Sequence, residues 1–166
     1  MEVVMATKAD FTAEEWKQIQ RAPAMAGLAV IAASPSGPLG AIKEMFAVGK
    51  MLAEVKTQGS SNDLVKALVA DLETGAREQT APPELQGKTP DQVKDFAIQS
   101  LRQVTTLVEQ KAKTEAPGFN QWLVSIAQKV AAAAKEGGFL GFGGTQVSQR
   151  ETQTIKELSA ALGVKA

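Results

Sequence analysis

Read from the N-terminus, the first regular pattern of apolar positions is Trp16, Ile19, Pro23, Ala26 and Val30. Steps of three and four residues place all five on one face of a helix. The stretch "FTAEEW" supplies its start. Thr12 is a good N-cap, Glu15 can return a bond to the Thr12 amide, and Phe11 can staple onto Trp16. Pro23 has no amide to give, so the pattern predicts a kink there or a division of the helix in two. From Ala22 to Ala33 the residues are mostly Ala and Gly, which lets a neighbouring helix come close. The turn-rich "SPSGPLG" ends the element.

A second helix is predicted from about 38 to 57, with Leu39, Ile42, Met45, Phe46, Met51, Leu52 and Val55 available for burial, and Gly59 with two serines stopping it. A third, shorter helix carries Leu64, Val65, Leu68, Val69 and Leu72. Residues 74–88 then lose helical periodicity and include two adjacent prolines, which reads as a surface connection. Thr89, Pro90 and Gln92 open a fourth helix with a capping-box pattern and proline at its first position. Its stripe runs through Val93, Phe96, Leu101, Val104 and Val108. "EAPGF" ends it and starts a fifth helix bearing Phe119, Trp122, Leu123, Ile126 and Val130. After the glycine-rich stretch "KEGGFLGFGGTQVSQRE", Ser148 and Glu151 form another capping-box pattern, and Gly163 is a suitable left-handed terminator for the last helix. No alternating strand pattern competes with these signals. The expected fold is all-α: one domain over residues 1–166, a bundle of five or six helices, with residues 1–10 as a flexible N-terminus.

Composition narrows the chemistry more than it changes the fold. Hydrophobic residues at 44% and charged residues at 22% are ordinary globular usage. Lys plus Arg equals 18 and so does Asp plus Glu, so no bulk charge draws the chain to nucleic acid, and no nucleic-acid partner is expected. Cysteine, histidine and tyrosine are all absent. That removes disulfides, thiolate nucleophiles, histidine-based triads and nitrogen- or sulfur-ligated zinc. No cofactor and no metal site is expected. "MEVVMATK" lacks the layout of a secretory signal. The longest small and apolar run, Ala22 to Ala33, is too short to span a bilayer. These features predict a soluble, cytoplasmic protein without a transmembrane segment.

The two ends of the chain echo one another. Trp16 and Trp122 each begin an apolar helix that becomes Ala-rich, as "GLAVIAA" at 27–33 and "AQKVAAA" at 127–133. Each is followed by a Gly-containing turn and then a base–acid pair, Lys43–Glu44 and Arg150–Glu151. Val48, Met51 and Val55 then correspond to Ile155, Leu158 and Leu162. A duplicated helix–turn–helix and the chance similarity of amphipathic helices both account for this.

The C-terminal pattern, "VAAAAKEGG" followed by "TQVSQRETQTIKELSAALGV", resembles the tellurite-resistance TerB-like helical domains. Val147, Ser148, Glu151, Leu162 and Gly163 match that family's helix start and closing Leu-Gly. The likeness covers about the last forty residues and, more faintly, residues 26–55. It implies the helical fold alone. The acidic turn residues that bind metal in some members are replaced here by Ser34, Ser36 and Gly37 in the first turn, and by glycines and Thr145 in the second.

Candidate site residues are few. Gly141-Phe142-Gly143 lacks the Gly-Lys-Ser/Thr end of a P-loop and the preceding strand of a dinucleotide fold, so phosphate binding is not expected. Phe139, Leu140 and Phe142 either tuck back onto the bundle or form an exposed finger that contacts a partner or an apolar ligand. Glu44 and Glu151 are weak polar candidates: they converge only if the two helix pairs are related by symmetry, and helix capping and dipole effects explain both otherwise. Trp16 and Trp122 are expected in the core, and Met25, Met45 and Met51 as gap-fillers. The expected function is a non-catalytic helical interaction module with a protein partner or a second copy of itself. The alternative is a small carrier or sensor with an apolar small molecule between the Ala/Gly-rich helix and the glycine-rich turn. An enzyme using carboxylates alone is the third reading.

Overall fold

The computed structural model describes residues 8–33, 49–55, 62–75, 87–136 and 149–164. They form an all-α bundle: a 3-10 turn at Lys8–Asp10, then α1 (Ala13–Ala33), α2 (residues 49–55), α3 (Asp63–Gly75), α4 (Pro90–Lys111), α5 (Ala116–Glu136) and α6 (Gln149–Ala161). Among the described residues there is no strand. Of the segment expected to be a flexible N-terminus, Lys8–Asp10 is a turn and residues 1–7 lie outside the described chain. Of the expected surface connection at 74–88, the first two residues continue α3 and the last two precede α4.

α1 is the central helix. It lies along α4 most extensively, then α5, and also touches α6 and α3. Its sequence explains the position. Trp16 and Ile19 bury one face, but from Ala22 to Val30 nearly every residue is enclosed, including Ala22, Ala26, Gly27 and Ala29. A helix that is apolar on all sides gains most by being surrounded, and small side chains let its neighbours close in. Pro23 corrects the expectation of a divided helix, because α1 runs unbroken through it. The missing amide forfeits one bond to the Ile19 carbonyl, at a cost of about 3 kcal/mol. Contacts with helices on several sides offset that loss.

The helix ends follow local chemistry. At the start of α1, the Thr12 amide donates to Glu15 Oε2 at 2.8 Å and the Glu15 amide donates to Thr12 Oγ1 at 3.2 Å. Phe11 and Trp16 complete the staple with ring centroids 5.8 Å apart. α4 carries the same reciprocal box between Thr89 and Gln92, at 3.0 and 3.3 Å. Gly163 closes α6 at φ +66°, where its own amide bonds the Ala160 carbonyl and the Val164 amide bonds that of Ser159. This is the Schellman arrangement that a glycine permits. Ser148, the expected N-cap of α6, lies just outside the described residues, as does the Glu151 side chain.

One core runs through the bundle. Ile19, Val30, Leu64, Leu68, Leu101, Phe119, Leu123, Ile126, Leu158 and Leu162 are fully enclosed, so every helix but α2 contributes at least one such residue. Met51 brings α2 into the same core.

Candidate functional sites

The most connected polar group is Asp71, near the middle of the sequence of α3. The Trp16 indole Nε1 donates to its Oδ2 at 2.6 Å, and Gln20 Nε2 donates to the same oxygen at 2.7 Å. Lys8 Nζ lies 3.1 Å away. The Trp16 bond above all, with the Lys8 ammonium and the Gln20 amide, holds the Asp71 carboxyl below the usual carboxylate range against the opposing effect of burial. These three partners are all donors, and they hold Asp71 as an anion that ties α3 to α1 and to the turn before it. A general base needs its proton affinity raised towards neutrality, and here it is lowered. Asp71 is therefore a fastening.

Glu15 is held similarly. Lys111 Nζ sits 2.6 Å from its Oε2, and this bond, followed by the Thr12 amide, lowers its pKa. The same ammonium lies 5.9 Å from the centre of the Phe11 ring, a cation–π distance. The end of α4 is thereby clamped to the start of α1.

Two further polar contacts position helices. Asn62 caps α3 by accepting from the Val65 amide at 3.0 Å, while its Nδ2 donates to the Glu115 carbonyl at 2.9 Å. Gly118 makes room for it: a Cβ at that position would stand 2.8 Å from Asn62 Nδ2. Between α4 and α5, Thr105 Oγ1 bonds Asn120 Oδ1 at 3.2 Å in the interior. Among the described residues, two buried side-chain atoms have no hydrogen-bond partner, Trp122 Nε1 and Ser159 Oγ.

Two grooves open on the described surface. The first, about 230 Å3, lies between α1 and α4. Met25, Phe96 and Val104 form its apolar part, and Arg21, Gln99 and Gln103 its polar part. None of the residues lining it is a carboxylate, so it has no acid–base pair. Its amides can donate and accept around an inserted apolar side chain. The second, about 520 Å3, lies where the α4–α5 turn meets the end of α6, and Asn120 lines it.

Of the sequence-predicted site residues, Phe139, Leu140, Phe142 and Glu44 lie outside the described residues, and so does the side chain of Glu151. Trp16 is in the core at 3% exposure, Met25 and Met51 are buried, and Trp122 is only half-buried. Among the described residues, no group of three or more His, Cys, Asp or Glu is arranged to hold a metal ion. No described helix is long and apolar enough to cross a membrane. Sequence reasoning missed Asp71, Asn62 and Asn120. Each is a single polar residue whose partner lies on another helix, and no local spacing announces such a pairing.

Comparison with known proteins finds no matching family model, no matching curated protein and no matching solved structure.

Proposed function

We propose that this chain is a non-catalytic helical interaction module whose partner is another protein or a second copy of itself. Phe139, Leu140 and Phe142 are its intended apolar contact, on the reasoning that three large apolar side chains among glycines gain most by being covered. The observation that carries the reading is the use to which the described carboxylates Asp71 and Glu15 are put. Both are held as anions by donors that join helices, which suits a scaffold rather than a reaction centre. The groove between α1 and α4, with Phe96 half-buried beside donor and acceptor amides, adds a surface of the kind that accepts a side chain from a partner. The TerB-like resemblance supports the helical scaffold in this reading and contributes no metal.

Native mass spectrometry of the freshly purified chain tests it. The interaction reading expects a homo-oligomer or a retained polypeptide, reduced when Phe139, Leu140 and Phe142 are replaced together by Ser. A stoichiometric apolar small molecule on a monomer would replace it with the carrier reading. A bare monomer, unchanged in association state and stability by the triple substitution, would refute both.

A further inference from the structure

The groove at the end of the bundle has an internal polar anchor that the fold does not use up. Asn120 is 3% exposed, yet it lines the groove. Among the described residues, Thr105 is the one hydrogen-bond partner of its side chain. A primary amide has one donor end and one acceptor end, and the hydroxyl of Thr105 can satisfy either. Whichever way round the amide lies, one polar atom is committed to Thr105 and the other is left for the groove. A buried side chain with unused hydrogen-bonding capacity at an opening is costly unless something pairs with it.

The surroundings define what would pair. Glu109 from α4 and Lys113 from the α4–α5 turn stand on the rim with opposite charges. Among the described residues, neither enters an ion pair. Pro117, Leu162 and Val164 supply apolar surface in the same groove, and its volume of about 520 Å3 suits a small molecule. An anion would be repelled by Glu109 and a cation by Lys113, whereas a molecule carrying both charges satisfies the two.

We infer that this groove binds a small zwitterion with an apolar side chain, in chemical class a free aliphatic amino acid. Its carboxylate meets Lys113 and the Asn120 amide, its ammonium meets Glu109, and its side chain lies against Leu162 and Val164. The inference does not rest on the interaction reading, since the site is formed by residues of this chain alone.

The test is an NMR titration of the isotope-labelled full chain with L-leucine, N-acetyl-leucine and leucinamide. L-Leucine is expected to move the Asn120 side-chain amide signal and the backbone signals of Lys113 and Gly163. Each blocked probe should bind at least about tenfold more weakly, a difference of roughly 1.4 kcal/mol. Lys113→Met should weaken L-leucine but not leucinamide, a cation freed of its repulsion, and Glu109→Gln should weaken L-leucine but not N-acetyl-leucine, an anion freed likewise. Both side chains are at the surface, so these variants keep the fold even where Asn120→Leu does not. Equal binding of all three probes, or no movement of these signals with any of them, overturns the inference. Sedimentation of the same samples reads association separately, so either reading can fail without the other.

Discussion

The two tryptophans occupy similar places in the sequence and different ones in the structure. Each follows a phenylalanine and packs against it at a tilt, Phe11 with Trp16 at 5.8 Å and 41°, Phe119 with Trp122 at 6.2 Å and 45°. Trp16 is buried with its indole nitrogen bonded to Asp71. Trp122 is half-buried, and its indole nitrogen is enclosed with no partner among the described residues. An indole has a large apolar body and one donor, so its burial is most favourable when another element supplies the acceptor. α3 does so for Trp16. The difference between the two sites is one carboxylate, contributed from a position 55 residues away.

That contrast can be broken most severely by truncation. Trp16→Ala should destabilise the fold by about 3–5 kcal/mol, against about 1–2 kcal/mol for Trp122→Ala, whose ring gives up less buried area. Urea unfolding midpoints check the order, and equal losses would contradict it. Next in size, Asp71→Ala should cost about 1–3 kcal/mol because it leaves the Trp16 donor buried without an acceptor. If this variant combined with Trp16→Phe is no less stable than Asp71→Ala alone, the indole bond is the main source of the loss. Replacing each indole by Phe sharpens the comparison. Trp16→Phe is expected to cost about 1 kcal/mol through its lost hydrogen bond, while Trp122→Phe removes an unpaired donor and should stay within about 0.5 kcal/mol of the parent.

The smallest effect expected is a pH dependence confined to one of the two sites. The folded-state pKa of Asp71 lies below its unfolded value. The resulting stabilisation is present above the unfolded pKa of about 3.9 and is lost as pH falls through the lower folded value. Acid titration of stability should therefore be shallower in Asp71→Asn than in the parent, and unaltered in Trp122→Phe. Identical acid profiles for parent and Asp71→Asn would show that Asp71 contributes nothing in this window.

Local signals in the sequence carried far. Thr12 with Glu15, Thr89 with Gln92, and Gly163 each act within one helical turn, so a single chain specifies them without reference to its fold. The apolar stripes were equally legible: Leu64, Val65, Leu68, Val69 and Leu72 are all buried. What could not be read is which helices meet. Asn62 bonds the Glu115 carbonyl across 53 positions, and Gly118 matters only because Asn62 is beside it. Pro23 shows the same limit in reverse, since the local rule left a kink and a division both open and α1 runs through it undivided. The candidate site at Asn120 was invisible for this reason. A lone asparagine becomes distinctive only once α4, α5 and the end of α6 enclose it.

The central position of α1 also bears on how the chain is made. Translation delivers this helix before the one that covers most of it, α4, which is complete only at Lys111. At ordinary elongation rates the interval is on the order of ten seconds. For that time Ala22–Val30 waits without α4, and a factor that shields nascent chains would find an apolar substrate there.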